Sequence, residues 1–262
     1  MTDLYLFDIL PLWVSFLCII ALVLLSAWCG VIFVRWRKKR YANIDEEGPI
    51  NTVVGANLAL LAFILAFTFG LTTTRFDAKK LYLLEEVNAI ETTWLRAGLI
   101  NEPQRTEVKD LLKEYVRIRV LAAKQPEKTM DVIKESTIIQ KKIWSNVTDL
   151  IEETSRNDQI NALFVESVNN MFDGQTKRIT VALTYRIPGL IWAALLVMIM
   201  ISMFAVGYLV GKMERTNWYM ILALSFAFTA VILVIVDLDS TFGTIQIDHK
   251  PTFDLYQRLL NG

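Results

Sequence analysis

The chain is poor in the residues that most soluble enzymes use for chemistry: it has two cysteines and one histidine in 262 residues. Cys18 and Cys29 both fall in the first apolar run, so no disulfide framework or thiolate metal site can be assembled outside it. With His249 the sole histidine, a zinc site of two or more imidazoles is excluded, and a histidine-based triad would rest on one tail residue. Net charge is lacking as well. The 27 Lys and Arg balance 27 Asp and Glu, which leaves no basic footprint for nucleic acid. There is no Gly-x-Ser-x-Gly, no Walker loop and no dinucleotide fingerprint. Sustained period-two alternation and Asn-Gly turns are absent too, so strands are not expected.

What the chain does have is four long apolar runs, at residues 11–34, 53–71, 187–210 and 218–236. Each is long enough at helical rise to cross a hydrocarbon core roughly 30 Å thick. The expected fold is therefore an all-α membrane protein, with four transmembrane helices in two pairs and an inserted helical bundle continuous with spans 2 and 3. The expected division is an N-terminal pair (1–71), an extramembrane bundle (72–186), a C-terminal pair (187–236) and a tail (237–262). The N-terminal ten residues lack a basic n-region, and the run behind them reads as a retained span rather than a signal peptide.

Orientation follows from the basic residues of the short loops. Arg35, Arg37, Lys38, Lys39 and Arg40 follow span 1, and Lys212 and Arg215 separate spans 3 and 4. Both short loops are thus expected in the cytoplasm of a cell-membrane protein, with the helical domain and both termini outside. Trp36, Trp192, Tyr208, Trp218 and Tyr219 lie near span ends, as interface anchors do.

No proline or glycine interrupts residues 72–97, so span 2 is expected to continue out of the bilayer as one rod to about Leu99. Gly98 ends it, and Asn101 ahead of Pro103 caps the next helix, which runs to about Lys124. Pro126 opens a further helix ending around Thr154 to Asn157. Another begins near Asp158 and enters span 3, with Asp173-Gly174 as an interruption and Pro188 as a kink.

Steps of alternately four and three residues from Asn57 trace Leu61, Ile64, Thr68, Leu71, Arg75, Ala78, Tyr82, Glu85, Ala89, Thr92 and Arg96 along this rod. A 3.5-residue line drifts slowly around a helix. In a ring of subunits, Asn57, Leu61, Ile64, Thr68, Arg75, Glu85, Thr92 and Arg96 would line an axial pathway, apolar at Leu61 and Ile64 and charged beyond. Equally, Asn57 and Thr68 would serve as bonds to a neighbouring span, and Arg75, Glu85 and Arg96 as surface charges. The tract ending in Asp237, Asp239 and Thr241 imitates the Asp-x-Asp-x-Thr signature of haloacid-dehalogenase phosphatases. It follows a full span, however, and has only about twenty residues behind it for the rest of such a fold.

Several stretches resemble the bestrophin-like bacterial membrane proteins. They are residues 60–70, Arg75-Phe76-Asp77, Glu86 with Asn88, Ala89 and Ile90, then Thr92, Leu95 and Arg96. Arg186-Ile187-Pro188, Gly207-Tyr208 and Asp237-Leu238-Asp239 with Gly243 match at the far end. The resemblance implies a four-span helical protein that forms homo-oligomers, and its name suggests a relation to pentameric bestrophin anion channels. Arg75, Asp77, Glu86, Asn88 and Arg96 form either part of a pore lining or a hydrogen-bond network at the membrane boundary, and Arg186, Asp237 and Asp239 belong to the same boundary set. The functional expectation is an oligomeric channel-like protein in the lipid bilayer that passes an inorganic ion or small solute. No enzymatic activity, cofactor or metal is expected. The rival is a structural or sensory protein whose helical domain binds a partner or lipid.

Overall fold

A computed structural model of the chain describes residues 11–40, 48–153, 159–213, 217–240 and 243–261. Thr241, Arg215, and the expected helix boundary from Thr154 to Asp158 lie outside the described residues. The helices are α1 (Leu12–Arg40), α2 (Gly48–Ala97), α3 (Gln104–Lys124), α4 (Thr129–Glu153), α5 (Gln159–Ile179), α6 (Gly189–Lys212), α7 (Trp218–Asp239) and α8 (Lys250–Asn261). A 3₁₀ turn at Pro126–Lys128 precedes α4, and a π turn at Thr180–Thr184 follows α5. No strand occurs among the described residues. Four helical tracts are long and apolar enough to cross a membrane, and they cover the four predicted spans, the first from Leu12 rather than Pro11.

Two compact units divide the chain. One is Met1–Phe76 with Arg186–Ile245; the other is Asp77–Tyr185 with Gln246–Gly262. In the first, α1 packs most extensively on α6 and next on α7. The α1–α6 approach is set by small residues. A methyl group at Gly30 would overlap the Phe204 carbonyl, and one at Gly207 would overlap the Ala27 carbonyl. Gly211 likewise faces Val34 and Val31. Small residues four apart let membrane helices approach this closely, and the gain is van der Waals contact that lipid tails cannot supply. Around this seam Val23, Leu61, Leu195, Ile199, Met203 and Ile232 are fully enclosed. Trp192 and Tyr208 are buried rather than exposed like Trp36, Trp218 and Tyr219, so only the latter three are free to act as interface anchors.

The second unit is a helical bundle. Ile90 of α2, Leu112 and Ile118 of α3, Ile143 and Leu150 of α4 and Phe164 and Met171 of α5 share one core. Leu255 and Leu259 of α8 complete it. The sequence reading assigned no element to this stretch, although Thr252, Leu255 and Leu259 recur at helical spacing behind Pro251.

Helix ends follow local chemistry. α2 stops where the Gly98 N–H turns back to the Trp94 and Leu95 carbonyls. The start of α3 is held not by the Asn101 side chain but by its carbonyl, which accepts from Arg105 at 3.0 Å. Glu102 adds a carboxylate that accepts from the Thr106 N–H at 3.2 Å and its hydroxyl at 2.8 Å. Two expectations for α5 fail. Gly174 does not interrupt the helix; it packs closely on α2, where a Cβ would sit 3.3 Å from the Glu86 Cα. Nor does α5 run on into α6, because the helix widens into the π turn and residues 185–188 are non-helical. Pro188 lacks an N–H and disfavours α geometry at Ile187, so the helix restarts only at Gly189.

Candidate functional site

The line traced from Asn57 is not one uniform surface. Leu61 and Thr68 have no solvent exposure within the single chain. Ile64 is half-buried, and Asn57 donates to the Ser202 hydroxyl at 2.9 Å. The Thr68 hydroxyl is satisfied by the Ile64 carbonyl at 2.8 Å. This side of α2 is therefore a packing face, and Leu61 and Thr68 are corrected from pathway lining to protomer core. The outward face is a neighbouring stripe. Phe63 is 68% exposed and Phe67 58%, Gly70 has open space beside it, and Thr74 is exposed. Periodicity shows that two such faces exist, but it cannot say which one turns inward.

Farther along α2, Glu85, Asn88 and Thr92 are exposed. The Glu85 carboxylate lies 4.0 Å from the Lys177 ammonium. Arg96 donates to the Leu163 carbonyl at 2.5 Å and lies 3.5 Å from Glu166. Asp77 is exposed and pairs at 3.2 Å with Lys80 on its own helix.

The remaining motif residues enter two separate buried charge clusters. The first closes the end of α7. Asp239 accepts from Arg75 at 2.5 Å, stands 3.6 Å from Arg186, and takes the Ile187 N–H at 3.3 Å. Its main-chain carbonyl accepts from the same two arginines, at 2.6 and 3.2 Å. Thus each guanidinium meets both a side-chain anion and the partially negative carbonyl end of a helix. Asp237 holds the segment after α7 instead. It accepts from the Thr244 N–H at 2.6 Å, the Thr244 hydroxyl at 2.7 Å and the Ile245 N–H at 2.9 Å. Gly243 makes room for that turn, since a Cβ there would overlap Asp237 itself. Asp237 and Asp239 thus face different partner sets, which is not the shared reaction centre that the phosphatase signature requires.

The second cluster is centred on Glu86 in the bundle. Arg119 approaches its carboxylate at 3.1 Å and Arg178 at 2.5 Å, and the Tyr115 hydroxyl lies at 3.2 Å. Arg119 also donates to the Tyr115 hydroxyl at 2.9 Å. That hydroxyl bonds to Gln175, whose amide oxygen also accepts from Gln140 at 2.8 Å. Burial alone would raise the Glu86 pKa, but Arg119 and Arg178 hold it below the ordinary carboxylate value. Burial pushes the Tyr115 hydroxyl up, which keeps it protonated and able to donate. Burial opposes the charge on Arg119, yet Glu86 keeps it firmly protonated. The group is a locked ion cluster rather than a proton-transfer site.

Sequence reasoning missed Tyr115, Arg119, Gln140, Gln175 and Arg178. One signal was available, because Arg119 continues the stripe of Val108, Leu112 and Tyr115 that α3 buries. A charge on the apolar face of a helix calls for a buried counter-ion.

Comparison with known proteins gives a consistent answer. A family model described as the Bestrophin-like domain matches residues 16–252. Solved structures of similar fold include a substituted form of a bacterial bestrophin homologue from Klebsiella pneumoniae. It is 14% identical with a TM-score of 0.70, and the match covers 96% of this chain and 97% of that one. A crystal structure of a membrane protein variant aligns at 14% identity and TM-score 0.68, covering 93% and 97%. A structure of a bacterial bestrophin homologue from Klebsiella pneumoniae phased on zinc aligns at 14% identity and TM-score 0.66, covering 96% and 98%. At such identity these matches speak for the fold. No curated protein matches. With four apolar helices and a family match over most of its length, the chain is a multi-pass membrane protein that belongs to the bestrophin-like family.

Proposed function

We propose that copies of this chain assemble as a ring around an axis lined by the exposed stripe of α2, and that ions or small solutes pass along that axis. The observation that carries this reading is the pair Phe63 and Phe67, both large, exposed and one turn apart on the same helix as the buried Leu61. Rings of such side chains form an apolar constriction of the kind that gates by dewetting. Membership of the bestrophin-like family supports a channel-type role over an enzymatic one. The basic residues at the ends of α1 and α6 favour an orientation with the short loops in the cytoplasm and residues 72–186 and both termini on the opposite side.

Native mass measurement of the purified chain in mild detergent, followed by chloride and potassium flux in liposomes, tests the proposal. A homo-oligomer with flux is expected, and Phe63→Ala or Phe67→Ala should raise that flux several-fold. A monomer, or an oligomer that passes neither ion, would remove the channel reading in favour of a membrane-anchored protein whose bundle binds a partner or lipid.

A further inference from the structure

The basic residues that set the orientation also form a structure of their own. α1 carries Arg37, Lys38, Lys39 and Arg40 in its last turn, and α6 ends in Lys212. Lys38 donates from Nζ to the Lys212 carbonyl at 2.5 Å, which brings the two helix ends together. Arg37 donates to the Tyr208 hydroxyl at 3.1 Å, joining them a second time. Favourable interaction with the negative ends of the two helix dipoles explains Lys38, which satisfies a terminal carbonyl. It does not explain Lys212. The Lys212 Nζ is shielded from solvent and has no hydrogen-bond acceptor among the described residues. A shielded ammonium beside several other bases needs an anion.

The surface next to these bases is apolar and aromatic. Phe33 and Trp36 are exposed, with ring centroids 6.1 Å apart, and Phe204 of α6 lies 5.8 Å from Phe33. The Arg40 guanidinium sits 5.7 Å from the Trp36 ring centroid. Aromatic rings alongside basic side chains match the two halves of a lipid, acyl chain and headgroup. A free phosphate would have no use for the aromatic half.

We propose that the ends of α1 and α6 form a seat for an anionic phospholipid, with its phosphate bound by the exposed Lys39 and Arg40, the shielded Lys212 ammonium adding to the positive field, and its acyl chains against Phe33, Trp36 and Phe204. The seat is independent of the pathway proposed along α2. Native mass spectrometry of the full chain, titrated with phosphatidylglycerol or phosphatidylcholine, provides the test. Phosphatidylglycerol should be retained at least about thirty-fold better than phosphatidylcholine. The double variant Lys39→Gln/Arg40→Gln alters side chains at exposed positions and leaves the Lys38 contact in place. It should lose roughly thirty-fold in phosphatidylglycerol retention and keep its phosphatidylcholine retention. Equal retention of the two lipids, or an unchanged preference in the double variant, would overturn the proposal. Displacement of phosphatidylglycerol by millimolar inorganic phosphate would overturn it too, because the site would then hold a free anion.

Discussion

Asp239 and Glu86 are both buried carboxylates held by two arginines, but they are secured in different ways. Asp239 shares its arginines with its own main-chain carbonyl at the end of α7. Glu86 stands in mid-helix, where every partner is a side chain, supplied by α3 and α5. The Tyr115–Gln175–Gln140 relay then extends that cluster to α4. Burying such groups costs much of what their attraction returns, so neither cluster is a cheap source of stability. Their value shows when one member is lost. Around Asp239 the backbone would still accept from both cations, whereas around Glu86 little would remain except a tyrosine hydroxyl.

The largest expected effect of breaking this contrast is therefore at Glu86. Glu86→Gln should cost about 3–5 kcal/mol by leaving two arginines without a counter-charge, read as a lowered thermal midpoint in detergent. Asp239→Asn should cost less, about 1–3 kcal/mol, because the carbonyl is untouched. Equal losses, or the reverse order, would show that the backbone acceptor has no such effect.

The same pair sharpens with pH. The folded Glu86 pKa lies below its ordinary value of 4.5. Its stabilisation is thus complete above about pH 4.5 and is lost as pH falls through the lower folded value. Glu86→Gln should flatten that acid limb in a pH series of melting curves, and an unchanged limb would assign acid sensitivity elsewhere. The smallest effect belongs to Arg258→Ala. Its bidentate pair with Glu91, at 2.9 Å for both bonds, is largely exposed and is worth about 0.2–1 kcal/mol. A larger loss would mean that α8 depends on this pair more than on Leu255 and Leu259.

The four membrane helices and the unbroken α2 were legible in the sequence, because long apolar runs and the absence of Pro and Gly are local signals. Boundaries were legible to within a few residues where a breaker acts by itself, as at Gly98 and Pro126. The break before α6 was not, because Pro188 determines only where the next helix starts. How far back the previous one unwinds depends on packing. At the candidate site, Arg75, Arg186 and Asp239 were grouped by resemblance, and the structure places them in one cluster and Glu86 in another. The reason is that partners such as Arg119 and Arg178 lie far from Glu86 in sequence, and no spacing rule connects them. The inward side of α2 was unreadable for a related cause. Leu61 and Phe63 are equally apolar, and only the neighbours α2 packs on decide which of them is enclosed.

The place of α8 in the chain has a consequence for biosynthesis. Leu255 and Leu259 fill the bundle core, yet they emerge from the ribosome only after α6 and α7. Domains generally fold as units while they are being made. Here the bundle stays open on one side until both apolar pairs have been handed to the membrane-insertion machinery. Premature release of a nascent chain between α7 and α8 would leave a protein with all four apolar helices made and a bundle core lacking Leu255 and Leu259.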